Sequence, residues 1–330
     1  MKKTKQVMLI ILCIGVFSAF AIGSGTTNEE NSTATLVGEV SMPENTEETE
    51  SVIEDSESTI MQEDVKTEYY VGDMLSTDGL EITYTGSSNF ISDNEYIQPA
   101  EGNKFIRLAF HVDNKSGSDK SISTYEFVCY ADGYECQAIY QEDDLLATLS
   151  DGRTTNGAVY FEVPIDAKEI EIEYETNWIS EEKVKFIFEG DKDSGLVFEN
   201  DTTETENAFH VGDVIETDSL RISYIKAEEY KDDNMFLQPA EGMKYVYIEL
   251  EVENLSDSDQ MISYFSFNCY ADGESCNGFY GMDDALSAEL SAGRKAKGTI
   301  AFEVPIDAEV VEFEFEDNVW TESKIVFLYE

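Results

Sequence analysis

The chain repeats itself at the length of a whole domain. Val71-Gly72-Asp73 returns as Val211-Gly212-Asp213, and Gln98-Pro99-Ala100-Glu101-Gly102 as Gln238-Pro239-Ala240-Glu241-Gly242. Cys129-Tyr130-Ala131-Asp132-Gly133 returns as Cys269-Tyr270-Ala271-Asp272-Gly273, and all three pairs lie 140 residues apart. Phe161-Glu162-Val163-Pro164 comes back as Phe302-Glu303-Val304-Pro305 at an offset of 141, so one residue was gained after the cysteines. This period is far longer than a solenoid repeat and matches a complete domain. It fixes the domain count and supplies a second reading of every strand.

The period inside each copy is two. Leu80, Ile82 and Tyr84 alternate with polar residues, as do Leu220, Ile222 and Tyr224. Ile106, Leu108, Phe110 and Val112 match Val246, Ile248, Leu250 and Val252; Tyr125, Phe127 and Cys129 match Phe265, Phe267 and Cys269. Val159, Phe161 and Val163 match Ile300, Phe302 and Val304. Substitution between copies keeps apolar character at alternate positions, as a packed face requires. Six or seven such strands in roughly 120 residues predict an all-β fold, a pair of tandem immunoglobulin-like antiparallel sandwiches. Gln141 to Leu149 and Met282 to Leu290 are expected to form short helical turns between sheets.

The two copies span residues 68–189 and 208–330, with 190–207 as an acidic linker long enough to let them orient independently. Residues 1–25 read as a signal peptide or N-terminal anchor. Lys2, Lys3 and Lys5 precede an apolar run from Val7 to Gly23, and Ala19-Phe20-Ala21 supplies a cleavage site. Cys13 follows Leu12, too bulky for a lipid-attachment motif. Residues 26–67 are rich in Thr, Ser and Glu, contain no aromatic residue, and have Lys66 as their only base. Such a segment cannot offset its ordering entropy by burial and is expected to be a disordered tether. The location that follows is extracellular or cell-surface tethered.

Each copy carries two cysteines flanking an Asp-Gly turn. Asp132-Gly133 and Asp272-Gly273 are two-residue hairpin signals that place Cys129 opposite Cys136 and Cys269 opposite Cys276. In an exported chain the expectation is two local disulfides. Two thiols with no histidine nearby make a poor zinc site.

These motifs, with Asn114 and Asn254 ending a long apolar strand, resemble the DUF4352 group of Gram-positive surface and secreted proteins. The resemblance implies an immunoglobulin-like or telokin-like sandwich and a surface location. It implies no mechanism, and the missing lipid-attachment motif sets this chain apart from lipoprotein members.

The formal charge is −49, from 70 acids against 21 bases. That argues against nucleic acid and anionic membrane surfaces as partners, both of which need a basic footprint. Glu169, Glu171, Glu173 and Glu175 form a linear ridge on one strand, repeated as Glu312, Glu314 and Glu316, and are expected to be a solvated face. Calcium is more plausible at a loop, where Asp143-Asp144 and Asp283-Asp284 would meet Asp132 or Asp272. No other cofactor is suggested. His111 and His210 are the only histidines, neither is duplicated, and His111 falls on an outward, solvated face. No catalytic motif is present, so no enzyme is expected. Arg153 and Arg294 are expected to pair with Asp144 and Asp284. Binding residues are sought at one sandwich end: Gln98, Tyr130 and Tyr140 in the first copy, and Gln238, Tyr270 and Tyr280 in the second. The sequence reads as a non-catalytic binding module for an extracellular protein or cell-wall component, with a calcium-responsive spacer as the alternative. Oligomeric state is left open.

Overall fold

The computed structural model describes residues 66–330 except 93, 95, 178–181, 200, 201, 203, 204, 232, 233, 235, 236 and 319–322. The expected export signal and cleavage site, Cys13 and the expected tether to residue 65 lie outside the described residues.

Alternating apolar residues give each copy two sheets packed face to face. In the first, β1 (Leu80–Phe90), β2 (Asn103–Asn114) and, later in the chain, β4 (Thr154–Pro164) form one sheet, after β3 (Phe127–Ala131) has entered the other with β5 (Ile170–Asn177) and β6 (Glu182–Ile187). β2 and β4 run antiparallel in unbroken register from Asn103 opposite Pro164 to Asp113 opposite Thr154. Between the sheets lie Ile82, Leu108, Phe110, Cys129, Val159, Ile172 and Phe186, all at most 1% exposed. The second copy repeats this with β7 (Leu220–Tyr230), β8 (Met243–Asn254), β9 (Phe267–Ala271), β10 (Glu274–Ser275), β11 (Lys295–Pro305), β12 (Val311–Asn318) and β13 (Ser323–Leu328). The twofold reading of the sequence as tandem β-sandwiches is met element by element.

The Asp-Gly turns form as expected, with φ of 50° and 82° at Asp132 and Gly133 and 49° and 82° at Asp272 and Gly273. Positive φ at both centres matches the twist of the flanking strands. The helical expectation is corrected. Residues 146–149 form a strand against Lys120–Ser123, as Ser287–Leu290 does against Gln260–Ser263. Leu145 and Leu149 invite a helical reading, but Leu145, Ala147 and Leu149 also alternate at period two, and pairing decides. The helical turns fall instead at Thr124–Glu126 and Tyr264–Ser266, as 3₁₀ turns capped by Ser123 and Ser263.

The two sandwiches are docked, against the expectation of independent orientation. Thr154 of β4 pairs in parallel with Glu274 of β10, and its N–H donates to the Gly273 carbonyl at 3.1 Å. One sheet therefore runs from β1, β2 and β4 through β10 into β9, β12 and β13. The linker is partly seated too. Lys192–Asp193 adds a strand beside Gly86 and Ser87, and Phe198 stacks on the His111 ring at 3.6 Å between centroids.

Candidate functional site

The hairpins put the cysteines in the predicted register, with the Cys136 N–H donating to the Cys129 carbonyl at 2.8 Å and Cys276 to Cys269 at 2.9 Å. The expected disulfides are not made: Cys129, Cys136, Cys269 and Cys276 are all thiols. Burial pushes the Cys129 and Cys269 thiols up, with a further push from the partner cysteine of each.

The acidic loops are used internally. Asp143 accepts from the Tyr160 hydroxyl at 2.6 Å and from the Arg107 guanidinium at 2.9 Å. Asp284 accepts from Thr299 Oγ1 at 2.9 Å. Asp132 caps the N–H groups of Lys168 and Glu169, and Asp272 those of Glu309 and Val310. Asp283 is exposed, and among the described residues no three His, Cys, Asp or Glu side chains are grouped to hold a metal ion.

Asp144 differs. It lines a cavity of about 150 Å³ between the sandwiches, with Asp143, Glu274, Cys276 and Glu303, and its Oδ1 is buried without a hydrogen-bond partner. Desolvation pushes its carboxyl up to about 6 from 3.8, and the neighbouring Asp143 adds to the rise. A carboxyl raised in the folded state stabilises fully below its unfolded value of 3.8, and that contribution is lost as pH rises through about 6. Asp144→Asn is therefore expected to raise the melting temperature above about pH 6.5 and to leave it unchanged near pH 4. Equal effects at both pH values, read by calorimetry, would remove the desolvation argument.

Arg153 and Arg294 do not pair with Asp144 and Asp284. Arg153 crosses to the second sandwich, where it binds Glu312 and, at 3.1 Å, Glu314, with its guanidinium 4.7 Å from the Tyr270 ring centre. Glu312 and Glu314 are only 1% and 5% exposed, so this part of the ridge is buried at the junction rather than solvated. Glu171 and Glu173, their first-copy equivalents, are half-buried and bound by Lys185 and Lys183. Tyr270 is fully buried, and its hydroxyl accepts from the Ser150 N–H at 2.9 Å and donates to the Thr148 carbonyl at 3.2 Å. It belongs to the junction and is removed from the binding set. His111 is also corrected, being 4% exposed beneath Phe198, with Nδ1 2.9 Å from Asn156 Oδ1.

Gln98 and Gln238 each turn back on their own loop, donating to the carbonyls of Asn94 and Asn234. Tyr130 lies on β3 opposite Glu171, apart from Tyr140. Tyr140 and Tyr280, by contrast, are 53% and 65% exposed and each meets an exposed ring. Tyr125 lies 5.6 Å from Tyr140 between centroids; Tyr264 and Phe265 lie 4.9 Å and 6.2 Å from Tyr280. Tyr125 and Phe265 are 68% and 67% exposed, although period two assigns them to the core face with Phe127 and Phe267. The 3₁₀ turn breaks that period and swings them out. The available signal was Ser123-Thr124-Tyr125-Glu126, a capping box in which the Ser123 hydroxyl accepts from the Tyr125 N–H and Glu126 accepts from the Ser123 N–H. The result is a solvent-facing aromatic surface in the same place on both copies, able to stack on a sugar ring or an apolar side chain.

Comparison with known proteins gives one family. The model of DUF4352, a domain of unknown function, matches residues 69–184 and 209–325. No functionally curated protein matches the chain. Among solved structures, an uncharacterized β-sandwich protein from Clostridium difficile is 14% identical, covering 39% of this chain and 98% of that one at a TM-score of 0.26. A secreted protein from Mycobacterium tuberculosis is 15% identical over 38% and 98% of the two chains, at 0.29. A candidate lipoprotein from Bacillus subtilis is 10% identical over 35% of this chain and only 37% of its own length, at 0.31. Among the described residues, no helix is long and apolar enough to cross a membrane.

Proposed function

We propose, from the premise that this chain belongs to the DUF4352 family through both of its repeats, that it is an exported, non-catalytic binding module for an extracellular protein or a cell-wall component. One observation carries the reading. The exposed rings of Tyr125 and Tyr140 recur, 140 residues on, as Phe265 and Tyr280, beside the same capped turn. Large exposed rings cost solubility, and their retention in both copies is best explained by a partner that covers them. The fixed junction holds the two surfaces at one separation, so a partner with repeated epitopes gains avidity from both. The net charge of −49 supports a neutral or basic partner. The apolar N-terminal run and the Thr/Ser/Glu-rich segment after it support export and tethering.

The test is binding of the full chain to intact Gram-positive cell walls and to captured surface proteins. Tyr140→Ala and Tyr280→Ala are each expected to weaken binding by about tenfold, the usual scale for one aromatic anchor. Replacing Tyr125, Tyr140, Phe265 and Tyr280 together should abolish it without moving the melting temperature, since all four rings face water. Undiminished binding by that quadruple variant would sink the reading.

A further inference from the structure

The junction between the sandwiches is heterologous: one surface of the first copy meets a different surface of the second. From the first copy come Asp119, Ser150 and Arg153; from the second come Tyr270, Glu312, Glu314 and Lys324. Each of these side chains has an identical residue at the equivalent position of the other copy. Asp119 corresponds to Asp259, Ser150 to Ser291 and Arg153 to Arg294. Tyr270 corresponds to Tyr130, Glu312 to Glu171, Glu314 to Glu173 and Lys324 to Lys183. Thr205 of the linker adds one unduplicated side chain, its hydroxyl accepting from Arg153 at 3.2 Å. Other contacts use backbone, such as Thr154 N–H to Gly273 carbonyl, and Gly133 stands where Gly273 does.

So the second copy presents, unused, the surface by which the first copy docks, and the first copy presents the surface on which it docks. Asp259, Ser291 and Arg294 are all exposed. Across the other face, Glu171 lies opposite Tyr130 in register, Glu173 is two residues further along β5, and Lys183 binds Glu173 at 3.1 Å as Lys324 binds Glu314 at 3.4 Å. We propose that the chain associates head to tail with further copies of itself, the Asp259/Ser291–Arg294 end of one seating on the Tyr130/Glu171/Glu173 face of the next. A heterologous contact of this kind does not close a symmetric dimer; it adds copies in a row.

What repeats is every charged and aromatic partner of the junction, seen joined once within the chain with Thr205 added, and this separates the two surfaces from an ordinary basic turn and an ordinary acidic ridge. One substitution sets the strength. Val326 of the second copy is replaced by Lys185 in the first, and Lys185 already binds Glu171 at 2.7 Å. An incoming Arg294 must share Glu171 with it, so association between chains is weaker than docking within one. The net charge of −49 opposes it further at low salt, and screening at physiological ionic strength relieves that repulsion.

Sedimentation of the full chain at physiological salt, over a wide concentration range, tests this. The expected result is a weight-average mass that climbs past the dimer. Arg294→Glu should weaken the association by about tenfold or more, and the pair Glu171→Lys, Glu173→Lys likewise. Lys185→Val should strengthen it. Mixing the two weakened variants is the decisive arm, because the reversed charge of each altered surface complements the altered surface of the other, while their unaltered surfaces still match. The mixture should regain growth past the dimer that neither variant shows alone. Arg294, Glu171 and Glu173 take no part in the existing junction, so thermal unfolding should report each variant folded. A chain that stays monomeric throughout, or association that survives Arg294→Glu, overturns the proposal.

Discussion

Arg153→Ala is expected to destabilise the docked pair of sandwiches by about 3–5 kcal/mol, the range for removing one partner of a buried ion pair. The side chains of Arg153, Glu312 and Glu314 are 12%, 1% and 6% exposed, so neither carboxylate can recover its charge stabilisation from water. Without the guanidinium, Glu314 keeps Ser150 and Lys324, but among the described residues Glu312 keeps only the Thr205 N–H at 2.5 Å. The stacking of Arg153 over Tyr270 is lost as well. Arg153→Lys should recover little, because one ammonium cannot bridge two carboxylates in the fixed fork of a guanidinium. The molecule contains its own control. Arg294 is the same residue after the same Gly turn, but it is exposed, and Arg294→Ala should change stability by less than about 0.5 kcal/mol. Urea unfolding of both variants decides the matter. Equal midpoints for Arg153→Ala and Arg294→Ala would show that the junction contributes nothing to stability.

That contrast also marks where sequence reasoning stops. Strand positions, the Asp-Gly hairpins and the facing of the cysteines were legible, because two copies constrained each alternation and period two assigns every residue to a face. Alternation does not say what covers a face. Glu171 and Glu173 read the same as Glu312 and Glu314, yet the first pair is held by lysines at the surface and the second is buried by another domain. The one clue was the change from Lys185 to Val326, which removes a cation from the ridge and leaves a carboxylate needing another. His111 failed for the same reason: its face is outward, but the linker lies over it through Phe198. The aromatic surface was half legible. Tyr140 and Tyr280 stood out as repeated rings, whereas Tyr125 and Phe265 were assigned to the core by a period that the capped 3₁₀ turn interrupts.

Asn254→Leu is expected to cost about 3 kcal/mol or more, and Asn114→Leu the same, from about 1–3 kcal/mol for each buried polar group left unpaired. Both asparagines end the long strand of their copy and are fully buried. Asn254 donates through Nδ2 to the carbonyls of Ser258 and Leu290, both at 2.7 Å, and its Oδ1 accepts from the Ser256 N–H at 2.9 Å and hydroxyl at 2.8 Å. Asn114 binds Ser118, Leu149 and Ser116 in the same way. One side chain thus ties the loop after the strand to the crossing strand that ends at Leu290. Leucine has nearly the same volume and fills the space, but it takes the amide from the buried Leu290 carbonyl and the acceptor from the Ser256 N–H, and leaves the Ser258 carbonyl to the Ser256 hydroxyl. Asn254→Asp separates shape from hydrogen bonding. It keeps the acceptor for Ser256 while bringing carboxylate oxygen against two carbonyls, so it should be at least as damaging as leucine at neutral pH and milder in acid, where the protonated form can donate once. The comparison is made by thermal unfolding at two pH values. Leucine tolerated at either position would mean that the loop is held by its serines alone, and that the asparagine is kept for something other than the fold.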